Sequence, residues 1–300
     1  MKLPLRRTNQ SNLRLPSSHI LSPEASRKSR RQRVQSTAIP QLRSESESGL
    51  GNSAENLGGF FAEVKATPAL GQVAVICVTA CISLGLVEFA GRPQTFLAVF
   101  SSPAGPDPYW VLRLKAWWVA CILVGYVALP ALVMSLLPGK RVRDCHLGWR
   151  GFAQHYWIYA GLYGAVLPLI WLVAQTPSFY TFYPMYPQAG RSWSDLLMWE
   201  GMYAGQFIAL EFFFRGFLVG GLSKHIGALA VPVSVMPYMM IHFSKPLPEA
   251  AASVVAGLVL GWLAWKTKSI WGGVCVHCAV AATMDLLALA QKGQLPWLHG

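Results

Sequence analysis

The chain has 300 residues, of which 53% are apolar and only 13% charged, where a soluble domain carries about a quarter charged residues. That balance excludes an ordinary soluble domain and points to a membrane protein. The formal net charge is +12, and residues 1–60 hold ten Lys/Arg against four Glu, a net +6. Basic segments of this kind suit an anionic inner leaflet, so the excess is no sign of nucleic acid.

Residues 1–60 are rich in Ser, Arg, Pro, Asn and Gln and lack any apolar period, so they are expected to be a disordered tail. The run from Arg27 to Arg33 is its densest charge block. No apolar stretch follows the basic start, which rules against a secretory signal peptide, although Arg- and Ser-rich composition also fits an organelle transit peptide.

A spanning helix needs roughly 20 apolar residues. Seven stretches qualify or nearly so, at about 71–91, 116–137, 156–174, 194–222, 229–243, 248–265 and 269–290. The expected fold is all-α: a polytopic transmembrane helix bundle of about seven spans. Its parts are a tail over 1–60, N-terminal membrane helices over 61–193 and a site-bearing bundle over 194–290. The fifth stretch is short and holds Pro232 and Pro237, so a kink or break is expected there. Five of the six cysteines lie in apolar runs, where a thiol is a small hydrophobe, and Cys275-Val-His277-Cys278 is not a standard zinc spacing.

Lys140, Arg141, Arg143 and Arg150 follow the second stretch, Lys224 the fourth, and Lys266 and Lys268 the sixth. If the spans alternate, these share one side with the basic N-terminus, and that side is expected to be cytoplasmic.

A charge at bilayer depth costs at least ~2.5–3.5 kcal/mol on insertion scales and so calls for a reason. The fourth span reads Leu210-Glu211-Phe212-Phe213-Phe214-Arg215. Glu211 and Arg215, four apart, are neighbours on one helix face, and Glu200 returns to within ~20° of Glu211. At ~1.5 Å per residue, Glu211 lies ~16 Å from the basic end of its span, His242 ~18–20 Å and His277 ~12–14 Å. Three ionisable groups on three helices at similar depth suggest one site. Ser253, Gly257 and Gly261 repeat every four residues, a pattern that lets helices approach closely. Glu249 and Asp285 lie towards the far side, where they could pair with Lys245 or line an entry, with structural support as the expected role of each.

One carboxylate and two imidazoles around a polar pocket suit water activation, with a buried Glu as general base and a His as donor to an oxyanion. Alternatively Glu211, His242 and His277 could hold Zn²⁺ with an open water position. The chain has no His-Glu-x-x-His motif.

Glu211-x-x-x-Arg215, then Tyr238-x-x-x-His242, then His277 in the last span resembles the CPBP family of intramembrane proteases, which includes CAAX prenyl protease 2 and lysostaphin resistance protein A-like (Abi) proteins. The likeness covers about 194–290. It implies an intramembrane endopeptidase acting on a membrane-anchored or lipidated peptide, with no metal or with zinc. It further implies that Glu211 and His242 activate water, His277 polarises the carbonyl and Arg215 orients Glu211. Three positions depart from the family pattern: Leu210 replaces a Glu, Tyr238 a Phe and Ala281 an Asn. Leu210 and Ala281 motivate a second expectation, a weakened or inactive member serving as a membrane scaffold. A third is a proton-coupled transporter, for which no inverted repeat is visible.

Overall fold

The computed structural model describes residues 58–59, 62–63, 67–103 and 105–298. The expected disordered tail, apart from Gly58 and Gly59, lies outside the described residues. Residues Ala62–Gly300 cluster as one compact unit. No strand occurs among the described residues, only an isolated bridge between Leu147 and Ser269.

The helices are α1 (Pro68–Ala90), α2 (Pro93–Val99), α3 (Trp110–Leu136), α4 (Trp149–Ala174) and α5 (Pro177–Phe182). Next come α6 (Trp193–Glu211, continued by a wide π-type stretch Phe212–Gly220 and a last turn Gly221–Ile226), α7 (Ala230–Met240), α8 (Leu247–Thr267) and α9 (Trp271–Gln291). Six segments among the described residues are long and apolar enough to cross a membrane, and one of them, Trp193–Met240, merges the fourth and fifth expected spans into 48 residues. The chain turns between these two legs at Gly227, whose φ of +58° suits a residue without Cβ. From there α7 packs back on the π-type stretch of α6. With 11 residues, α7 rises about 16 Å, half of the ~30 Å hydrocarbon core. It runs unbroken through Pro237 and stops at Met240, leaving His242 in the turn beyond.

α6 is the central helix, and every residue from Ala209 to Leu222 is buried. α4 by contrast turns Trp157, Leu169, Trp171 and Leu172 outward. Lipid tails are as apolar as these side chains, so close packing rather than water exclusion holds α6 in place. Small residues permit that packing. A Cβ at Gly216 would sit 2.7 Å from the Cys145 carbonyl oxygen, and one at Gly220 would sit 2.9 Å from that of Asp144. The Gly257/Gly261 stripe of α8 serves the same end: Cβ atoms there would come within 3.0 Å of Val235 and 2.9 Å of Val231 on α7.

The three basic connections meet at one end of the bundle. Lys140 Nζ donates to the Gly221 carbonyl at 3.1 Å, Lys224 pairs with Asp144 at 3.1 Å, and the Gly148 N–H donates to the Lys268 carbonyl at 3.2 Å. Lys245 pairs with Glu249 at 3.1 Å and donates to the Tyr183 hydroxyl at 2.9 Å. Asp285 does not join that pair. Its Oδ2 accepts from the Trp199 indole at 2.6 Å.

Candidate active site

Glu211 ends the regular part of α6 and is fully buried. Arg215 Nη1 stands 3.3 Å from Glu211 Oε1, an ion pair without the alignment of a hydrogen bond, and His277 Nδ1 on α9 stands 3.6 Å from the same oxygen. Among the described residues, neither carboxylate oxygen of Glu211 has a hydrogen-bond partner. A buried carboxylate left in that state is costly, and such groups mark places where a further molecule is expected to bind.

The room for Glu211 comes from α9. Its first turn carries Gly272 and Gly273. A Cβ on Gly273 would collide with the Glu211 carboxylate, and one on Gly272 with the Tyr159 ring of α4. The two glycines therefore let α9 start between α4 and α6.

Tyr238 of α7 ties the remaining groups together. Its hydroxyl lies 2.9 Å from His277 Nε2, and the Arg215 guanidinium carbon lies 4.1 Å from its ring centroid. The His242 ring sits against it at 4.7 Å between centroids, and His242 Nδ1 lies 2.7 Å from the Tyr238 carbonyl oxygen. A carbonyl only accepts, so His242 carries a proton on Nδ1, and in the neutral ring Nε2 has a lone pair. The structure thus brings Arg215 and His277 each to the same oxygen of Glu211 and brings His242 near them through Tyr238. Sequence reading gave Tyr238 no role beyond replacing a Phe, and it gave Gly273 none.

The α3–α4 connection holds the site from the basic end. His146 adopts φ +56° and is 5% exposed. Its Nδ1 donates to the Arg215 carbonyl at 3.1 Å, inside the π-type stretch, while its own carbonyl accepts from the Ile270 N–H at 2.9 Å just before α9. One residue thereby fixes the helix bearing Glu211 relative to the helix bearing His277. Burial, with Lys268 adding, pushes the His146 imidazole down to about 4, against about 6.5 unfolded. Because the folded value is the lower one, the unfolded chain binds more protons between pH 6.5 and 4. The stability carried by the neutral ring is complete above pH 6.5 and declines by about 3 kcal/mol as pH falls to 4. Thermal midpoints in detergent are expected to drop across that window. The drop should flatten in His146→Asn, which keeps a side-chain N–H and tolerates left-handed backbone.

Zinc would need ligands from Glu211, His242 and His277. Among the described residues, no three His, Cys, Asp or Glu side chains are grouped so as to hold a metal ion, and His277 engages both of its ring nitrogens with Gly273 and Tyr238.

Residues 192–283 match the family model described as Type II CAAX prenyl endopeptidase Rce1-like. No curated protein and no solved structure matches the chain. The matched segment takes in α6, α7, α8 and the first half of α9, the helices that carry Glu211, Arg215, Tyr238, His242 and His277, and it is over these helices that the chain is similar to that family.

Proposed function

We propose that the protein is an intramembrane endopeptidase that hydrolyses a peptide bond of a membrane-anchored or lipidated substrate, with Glu211 as general base. The observation that carries this reading is the Glu211 carboxylate, fully buried beside Arg215 with neither oxygen hydrogen-bonded among the described residues. A water beside it gives one proton to the carboxylate while its oxygen attacks the carbonyl carbon. The carbonyl π electrons move to oxygen. The His277 Nδ1–H, which lies 3.2 Å from the Gly273 carbonyl on the side of the ring turned to Glu211, is shared with that oxyanion as a bifurcated donor. His242 Nε2 accepts the water's second proton in a hydrogen bond, which orients the attack. When the C–N bond breaks, Glu211 returns its proton to the leaving amine. Arg215 holds the carboxylate in place throughout.

Cleavage of a membrane-anchored peptide in proteoliposomes tests the reading. His242→Ala is expected to slow it at least about 100-fold, the scale of a lost acid–base group, with the thermal midpoint little changed because His242 is only partly buried. Equal rates in the two proteins would rule out this mechanism. A scaffold reading draws on Ala281, which lies in the apolar cluster with Tyr203 and Phe207 and offers no donor one turn beyond His277. Full biological activity without any cleavage would favour it.

A further inference from the structure

We infer that Glu200 and Asp285 hold a single proton between them, and that this proton ties α6 to α9 at the end of the bundle remote from the basic connections. Glu200 stands on α6 and Asp285 on α9, and the two side chains are in hydrogen-bond contact. An ionised carboxylate only accepts, so two of them cannot bond to each other. As bare carboxylates, Glu200 Oε1 and Asp285 Oδ1 are both buried without a donor among the described residues. Asp285 is 0% exposed, and its other oxygen, Oδ2, takes the Trp199 indole N–H at 2.6 Å. One proton on the pair supplies the missing donor and removes one of two like charges set side by side. The neighbouring cations do not do this instead. Lys245, in the turn after α7, is engaged by Glu249 at 3.1 Å and by the Tyr183 hydroxyl at 2.9 Å. Lys292, just past α9, donates to the Tyr183 carbonyl at 2.8 Å, and Lys115 of α3 lies 5.9 Å from the Trp199 ring centroid. Tyr183, Tyr203 and Cys278 complete the titratable groups that face the two carboxyls.

The tie has a counterpart at the opposite end. His146 bonds the π-type stretch of α6 and the start of α9 at the basic end, and its contribution declines in acid. The Glu200–Asp285 tie is lost in alkali, because removing its proton leaves two carboxylates in contact, and these repel. Glu211 and His277 lie along the same two helices between the two ties. Their relative placement is therefore held at both ends only within a window of pH, set by groups that take no part in hydrolysis.

Infrared difference spectra of the full chain in an ester-free detergent test the shared proton and need no substrate. A protonated carboxyl shows a C=O stretch above the amide band, and the stretch moves down in heavy water. At neutral pH, Glu200→Gln and Asp285→Asn should each lose one such band relative to wild type. Either amide can donate its N–H to the carboxylate that remains, so both variants are expected to melt within a few degrees of wild type at neutral pH. As pH is raised, the wild-type midpoint should fall more steeply than that of Glu200→Gln. Absence of the band in wild type, or its persistence in either variant, overturns the assignment. A wild-type spectrum without the band and a midpoint that rises with sodium overturns it in favour of a bound cation. Equal slopes of midpoint against pH in wild type and Glu200→Gln overturn the alkaline limit of the window.

Discussion

Glu211→Gln is expected to lower the hydrolysis rate by about 10³-fold, within the range that a positioned general base contributes. The amide matches the carboxylate in size but cannot take a proton from water. It also leaves Arg215, only 1% exposed at its side chain, without its counter-ion, and an unpaired buried charge destabilises a fold by itself. A lower thermal midpoint is therefore expected alongside the lost rate. Glu211→Asp separates the two effects. It keeps the charge and withdraws the carboxylate by about one methylene, a bond's length that spoils attack geometry without unpairing Arg215. Its rate is expected to fall about 100-fold, with the midpoint within a few degrees of wild type. Cleavage kinetics and melting curves on the same preparations check both variants. Wild-type rates in Glu211→Asp and Glu211→Gln together would remove Glu211 from the reaction.

Gly273→Ala is expected to be nearly as damaging, although it adds one methyl to a residue with no polar side chain. The new Cβ meets the Glu211 carboxylate directly. The carboxylate is the end of a flexible side chain and can turn aside, so the cost in stability is about 1–3 kcal/mol, as for other overpacked sites. Catalysis does not share that tolerance. In the proposed hydrolysis a carboxylate displaced by an ångström is misplaced for the attacking water, and the rate should fall about 100-fold. The neighbouring Gly272→Ala presses on the Tyr159 ring instead. It should cost stability, with a smaller loss of rate in what remains folded. Comparing the two adjacent variants by kcat and melting separates crowding at the carboxylate from crowding of the bundle.

The charged residues were legible in the chain because the bilayer makes them conspicuous. Glu211 and Arg215 stand four apart in an aromatic run, and a count of helical rise brings His242 and His277 to their level. The Ser253/Gly257/Gly261 stripe likewise announced a close helix contact, which α7 supplies. The short fifth stretch was visible too, but not that it forms a half-length helix folded back on α6. The second span begins earlier than its apolar run, at Trp110. Arg113 and Lys115 mask its start in the sequence. Arg113 pairs with Asp107 at 2.9 Å, and the Lys115 ammonium reaches the Trp199 ring at 5.9 Å, so long side chains carry their charges away from the helix. The roles of Tyr238, Gly273 and His146 were not legible. Each depends on which atom of a distant helix lies opposite, and neither hydropathy nor spacing along the chain carries that information.

His146 and Arg215 are 69 positions apart, yet their hydrogen bond braces the helix that carries Glu211. Contacts between such distant positions wait for the intervening chain to be ordered, so they form slowly. α6 can therefore fold as a helix well before it is seated as part of a site. The geometry around Glu211 requires the α3–α4 connection seated on the π-type stretch and bonded to the start of α9. The surroundings of Glu211 are in this respect a property of the assembled bundle rather than of α6 alone.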